Sequence, residues 1–236
     1  MSKKWILILD SGLGALNVLK ELQNVMPNEN YLVFMDKIHC PYGNKPKAKL
    51  IKISENIIDK LTKKFKIKLV VVACNTLSSV AGEHLQKKFL NLPFVFVVPN
   101  TSKEIFEHKT LILATKNTVK YNLAIKSAKT NKNVYICGFG KLAKMIEDCN
   151  QNFDLLKGYL NKKLRRYKSK KIENVVLGCT HFNYIKPQIE SALQSRLNFF
   201  ENSENVALQA KIMLKANSDI CRSKHSGEVL KFYKVT

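Results

Sequence analysis

The chain has 236 residues, 45% of them hydrophobic, and a formal net charge of +22 from 40 lysines and arginines against 18 acids. That length holds one domain or two small ones around a sizeable core, and no apolar run approaches the roughly 18 residues that span a bilayer, so no membrane partner is expected. The positive charge invites nucleic acid. Only four of the basic residues are arginine (Arg165, Arg166, Arg196 and Arg222), however, and base and phosphate recognition favours the planar Arg fork. Nucleic-acid binding is thus permitted by charge but is not the favoured reading.

In chain order, Lys3 and Lys4 precede the apolar run Trp5-Ile6-Leu7-Ile8-Leu9. Asp10 ends it, well short of the roughly 7–15 apolar residues of a signal peptide, so a buried strand over Ile6–Leu9 and a cytoplasmic location are expected. Asp10-Ser11-Gly12-Leu13-Gly14 reads as a tight turn into a helix marked by Leu16, Leu19 and Leu22. A strand is predicted at Tyr31–Met35, followed by Cys40-Pro41-Tyr42-Gly43, which taken alone reads as an ordinary surface turn. Ile53, Ile57 and Leu61 mark a second helix, and Leu69–Ala73 a third strand that runs into Cys74-Asn75-Thr76. Further strands are predicted at Phe94–Val98, Thr110–Ala114, Asn133–Ile136 and Asn174–Leu177. Helices are predicted around Leu142, Met145 and Ile146, and around Val206, Ala210, Met213 and Leu214. This alternation predicts an α/β fold with mainly parallel sheets.

The pattern echoes itself. Ile8-Leu9-Asp10-Ser11 is matched by Ile112-Leu113-Ala114-Thr115, and Ala73-Cys74-Asn75-Thr76 by Gly178-Cys179-Thr180-His181. The separation from Ser11 to Cys74 equals that from Thr115 to Cys179 to within one residue. Two similar α/β halves follow. Functional residues of open α/β sheets gather beyond the carboxyl ends of strands, so halves that face each other would bring Cys74 and Cys179 to one ligand from opposite sides.

The six cysteines form no CxxC pair, and without an export signal they are expected as free thiols. A thiol at a strand end, followed by exposed N–H groups of a helix, is tuned toward acid–base work. A single such cysteine is more often simply buried in the core, but two at matched strand ends point to chemistry. Cys179-x-His181 is too sparse a set for zinc, and a Cys–His hydrolase would leave the second thiol without a role.

Taken together, Asp10-Ser11-Gly12, Pro41-Tyr42-Gly43, Ala73-Cys74-Asn75-Thr76 and Leu177-Gly178-Cys179-Thr180-His181-Phe182 resemble the aspartate/glutamate racemase superfamily, and within it the glutamate racemases. The resemblance implies two α/β domains, 1–97 plus 206–236 and 98–205, related by a pseudo-two-fold with the active site between them. It implies a homodimer that interconverts L- and D-glutamate with no cofactor and no metal, supplying D-glutamate for peptidoglycan. Inverting an α-carbon needs a base on one face and an acid on the other, which two thiols supply. By resemblance Cys74 and Cys179 are those groups, assisted by Asp10, His181 and Glu147. Asp10, Ser11, Tyr42, Gly43, Asn75, Thr76, Thr115, Thr118, Thr180 and His181 match substrate contacts. Aspartate racemase and a decayed, partner-binding relative are the alternatives. Where the family usually reads V-G-G-L after Asp10-Ser11-Gly12, this chain reads Leu13-Gly14-Ala15-Leu16.

Overall fold

A computed structural model of the chain describes residues 3–217, 219, 220 and 227–233; Cys221 and Arg222 lie outside them. The elements run β1 (Lys4–Asp10), α1 (Gly14–Val25), β2 (Asn30–Met35), α2 (Lys47–Lys64), β3 (Lys66–Val72), α3 (Asn75–Lys88) and β4 (Phe94–Phe96). They continue with β5 (Thr110–Thr115), α4 (Lys116–Tyr121), α5 (Leu123–Ala128), β6 (Val134–Phe139), α6 (Leu142–Asp148), α7 (Lys157–Leu164) and β7 (Asn174–Gly178). The last are α8 (Lys186–Leu193), β8 (Asn198–Phe200), α9 (Ser203–Ala216) and β9 (Val229–Phe232).

The strands form two sheets, in the orders β4-β3-β1-β2-β9 and β6-β5-β7-β8. Every pairing among the described residues is parallel. Read from its other edge, the second sheet runs β8-β7-β5-β6, so the first four strands of each half occupy the same places. The sequence echo is therefore a repeat of topology, with β9 added at one edge of the first sheet.

Parallel sheets need both faces covered, and the period-two alternation of β1 supplies both. Trp5, Leu7 and Leu9 pack on Ile53, Ile57 and Leu61 of α2 and on Leu77 and Leu85 of α3. Ile6 and Ile8 pack on Val18 and Leu22 of α1 and on Val206, Ala210 and Leu214 of α9. In the second sheet Leu111 and Leu113 meet α6, α7 and α8, while Ile112 and Ala114 meet Ile125 and Ala128 of α5. Chain order places α1 and α3, the helices that follow β1 and β3, on opposite faces of the first sheet. A crevice opens at the carboxyl ends of such a pair of strands.

All seven predicted strands form, with shifted ends. β3 begins at Lys66, earlier than its apolar run, because Lys68 is buried against Glu29 at 2.5 Å and its charge masks the strand. β6 runs on to Phe139, and β4 stops at Phe96. β8 and β9 escaped the pattern: each is three or four residues long and lies at a sheet edge. α4 and α5, six residues each, are too short to show a helical stripe. No helix among the described residues is long and apolar enough to cross a membrane.

Leu7 is fully buried between β1 and its covering helices. Leu7→Ala is expected to cost about 2–5 kcal/mol, read by urea unfolding. A loss below about 1 kcal/mol would mean that this face of β1 is not packed as described.

Candidate active site

The strand-end turns of the two halves meet. Asp10, the last residue of β1, is fully buried and accepts hydrogen bonds from the Ser11 N–H (2.5 Å) and from Thr180 Oγ1 (2.9 Å), the latter residue just beyond β7. Thr76, just beyond β3, shares a hydrogen bond with Thr115 at the end of β5 (2.8 Å). The repeat thus pairs crosswise: the end of each half's first strand bonds to the turn after the other half's third strand.

Close approach here requires glycine. A Cβ on Gly14 would lie 2.2 Å from Thr180 Oγ1 and 2.8 Å from Asp10 Oδ2, and one on Gly12 would lie 1.9 Å from Glu147 Oε1. Ala15, where the family pattern usually carries its second glycine, is instead an ordinary buried core residue. The close contact falls on Gly14, which this chain keeps.

Cys74 ends the β3 turn and caps α3, with its carbonyl accepting from Ser78 N–H (2.9 Å). Its thiol lies well above the ordinary value, chiefly through burial and then through the Asp10 carboxylate. The backbone N–H groups of Leu77 and Thr76 pull the other way, and Cys179 adds a further upward push. Cys179 Sγ lies 4.0 Å from His181 Nδ1, and His181 Nε2 lies 2.7 Å from Glu147 Oε1. Burial would draw the His181 pKa down, but Cys179, Glu147 and Asp10 together hold it up at about 10. Burial likewise opposes ionisation of Glu147, yet His181 and the Leu13 N–H (2.5 Å) keep its carboxyl below the usual range. Asp10 is raised, because burial outweighs the help of His181, Thr180 and Ser11. An imidazolium is thus set beside Cys179 and a raised carboxyl beside Cys74.

Thr76, Thr115 and Thr118 form a buried hydroxyl triangle of 2.8, 2.9 and 3.3 Å. Asn75 Oδ1 is buried and accepts no hydrogen bond among the described residues. A buried acceptor left in this state is costly unless a ligand donates to it. The structure therefore brings together Asp10, Ser11, Cys74, Asn75, Thr76, Thr115, Thr118, Glu147, Cys179, Thr180 and His181. Tyr42 and Gly43 reach the same place, with Gly43 against the Thr115 side chain. The Tyr42 hydroxyl donates to Asp36 Oδ2 at 2.7 Å.

Three features are not legible from the local residues taken alone. Cys40-Pro41-Tyr42-Gly43 is not an ordinary surface turn: Tyr42 and Gly43 are buried, because the loop is held by Asp36 on one side and by Asn117, which donates to the Tyr42 and Lys45 carbonyls, on the other. Asn17 and Tyr184, donating to the Thr180 and Leu13 carbonyls, lace the halves together from helical positions that carry no motif. His181 also gathers Glu147 and Cys40, so that one ligand atom from each lies within 4.8 Å of the others. The sequence offered only Cys179 as a metal-ligating neighbour for that histidine.

No family-wide sequence profile matches the chain. A glutamate racemase from Aliivibrio fischeri is 36% identical over 231 residues, covering 96% of this chain and 87% of the relative. The crystal structure of glutamate racemase from Francisella tularensis in complex with D-glutamate superposes with a TM-score of 0.79 at 26% identity, covering 98% of this chain and 88% of that one. The Escherichia coli glutamate racemase in complex with L-glutamate and the activator UDP-MurNAc-ala gives 0.79 at 25% identity, with 98% and 89% covered.

Gly14→Ala is expected to drive Thr180 from Asp10 and to cost about 1–3 kcal/mol of stability, measured by thermal unfolding; unchanged stability would mean that the contact is looser than described. The folded protein holds the His181 proton to higher pH than the unfolded chain, where the ordinary value is 6.5. Its contribution to stability is therefore complete below 6.5 and is lost as pH rises through about 10. Urea unfolding across that window should show wild type losing more stability than His181→Gln. Parallel curves for the two proteins would remove the cationic histidine.

Proposed function

The chain belongs to the glutamate racemases, and on that premise we propose that it interconverts L- and D-glutamate by proton transfer between Cys74 and Cys179, one thiol on each face of the substrate α-carbon. One observation carries the reading: the two thiols stand at equivalent strand ends of a repeated fold, in turns joined by the buried Thr180–Asp10 hydrogen bond.

The reaction needs a thiolate on one side and a thiol on the other. Burial and Asp10 favour the protonated Cys74, which suits it to donate. The His181 cation beside Cys179 stabilises negative charge on that sulfur, which suits it to abstract. In the opposite direction the roles exchange, with Asp10, whose own affinity for a proton is raised, taking up the proton that Cys74 must give. Glu147 orients His181 and balances its charge.

The hydroxyls of Thr76, Thr115 and Thr118 are suited to a substrate carboxylate, as are the N–H groups of Asn75 and Gly43. The unengaged Asn75 Oδ1 is suited to the substrate ammonium, and Ser11 and Thr180 border the same space. Tyr42 supports the loop that carries Gly43 and does so through its bond to Asp36.

The same reading includes the division into domains 1–97 plus 206–236 and 98–205, a homodimer, and a cytoplasmic enzyme that supplies D-glutamate for peptidoglycan. The reaction as drawn uses side chains of this chain alone. The relatives described above are named for glutamate and not aspartate, and no feature of the site calls on the lysine-rich surface.

Proton NMR of each glutamate enantiomer in D2O tests the reading. Wild-type enzyme should erase the α-proton signal of both enantiomers and invert them. Cys74→Ser and Cys179→Ser should each lower inversion by roughly the hundredfold or more attributed to a positioned acid–base group. Full racemisation by either variant would falsify the two-thiol reaction.

A further inference from the structure

Cys40 takes no part in the proposed reaction, yet its thiol faces the catalytic cluster. It lies near Ser11, Asp10, Glu147 and Lys144, and burial, followed by Glu147 and Asp10, pushes it up to about 12. In the metal-free protein it is therefore an uncharged thiol and a poor nucleophile.

Its position gives it another use. Cys40 Sγ, a Glu147 carboxylate oxygen and a His181 ring nitrogen lie within 4.8 Å of one another. Three such ligands around a tetrahedral cation with bonds of about 2.0–2.3 Å would stand roughly 3.3–3.8 Å apart. The cluster is thus within small side-chain adjustments of that geometry. His181 Nε2 and Glu147 Oε1, now 2.7 Å apart across a hydrogen bond, need only separate slightly as a cation replaces the shared proton. The cradle is firm. Glu147 is fixed by the Leu13 N–H, a side chain in place of Gly12 would collide with Glu147 and crowd His181, and the Cys40 loop is anchored through Tyr42 to Asp36. Cys40 and Glu147 are only partly buried, so the cluster is reachable from outside.

We propose that Cys40, Glu147 and His181 form an inhibitory binding site for a thiophilic divalent cation of the zinc class, which takes the place of the His181 Nε2 proton and so stops the ring from gaining and losing that proton beside Cys179. The inference rests on the function proposed above for its inhibitory consequence, but not for the binding itself. One thiolate, one imidazole and one carboxylate suit zinc, and they do not suit magnesium or calcium, which take oxygen ligands. On binding, the Cys40 S–H and His181 Nε2–H bonds break and the His181–Glu147 hydrogen bond is given up, three coordinate bonds form from the Cys40 thiolate, the His181 Nε2 and the Glu147 carboxylate, and both protons pass to solvent. The fourth position stays open to water. Lys144 and Lys37 are the cations closest in influence to Glu147, and they temper the affinity without blocking the ligand atoms.

The test uses the full chain, reduced and stripped with chelator. Calorimetric titration with zinc chloride should give one site per chain, magnesium chloride should give none, and zinc should abolish racemisation reversibly on return of chelator. Cys40→Ala should weaken zinc binding by about tenfold or more, since even an outer partner of a metal ligand contributes that much. The variant should racemise normally without zinc and resist inhibition by it. Cobalt should give wild type a thiolate-to-metal charge-transfer band that Cys40→Ala lacks. Equal zinc affinity in wild type and Cys40→Ala, or an unchanged cobalt spectrum, overturns the site. Metal-free wild type that racemises neither enantiomer overturns the proposed function instead, while calorimetry and the cobalt spectrum still decide the site.

Discussion

The hydrogen bond from Thr180 to Asp10, 2.9 Å long and wholly buried, is the contact on which the site depends. Each half of the fold places its chemical groups at the carboxyl ends of its first and third strands. Neither half alone makes a two-sided site. Thr180–Asp10 and Thr76–Thr115 join the halves at the same two positions of the repeat. They set the strand ends of the two halves against each other. A buried carboxylate is tolerated at this point because its oxygens are satisfied by Ser11 and Thr180 and its charge is answered by His181.

That contact also explains which glycines matter. Gly14 lies so close to Thr180 and Asp10 that any side chain there would separate them, and Gly12 does the same for Glu147 and His181. The position after Gly14 carries no such demand, and Ala15 packs in the core of the first half. The departure from the family pattern therefore falls where backbone proximity is not at stake. Outside this centre, Asn17, Asn117 and Tyr184 bond to carbonyls of the opposing half, so the register of the two halves is held by directional bonds as well as by packing.

The sequence disclosed the parts of the molecule whose physics is local or periodic. The seven buried strands were legible because parallel strands covered on both faces read as unbroken apolar runs. The paired thiols were legible because the chain repeats its strand-end turns at equal spacing. β3 was read short because the Lys68–Glu29 pair buries charge inside a strand, and β8 and β9 were not seen because short edge strands bury little. Glu147 came only from family resemblance. It sits on α6 with no local motif, and its contacts to Leu13 and His181 reach across the chain. Cys40 was read as part of a surface turn because the Asp36 and Asn117 bonds that bury its neighbours are invisible in local sequence.

The topological repeat makes the thiols equivalent in position but not in environment. Asp10 stands by Cys74 and the His181–Glu147 pair by Cys179. In the proposed reaction negative charge must reside on one sulfur at a time, and like groups on both sides would leave its location undetermined. Asp10 beside Cys74 biases that thiol toward its protonated form, and the His181 imidazolium stands beside Cys179. Transfer through the substrate then leaves negative charge on Cys74 beside Asp10, whose own proton affinity is raised. The same arrangement makes His181 the point of vulnerability. Its Nε2 faces Glu147 and, beyond it, Cys40, so the nitrogen whose proton sustains the cationic state is also the one open to exchange for a metal. A site that stores a proton between a carboxylate and an imidazole, beside an idle thiol, has already assembled most of what a soft cation requires.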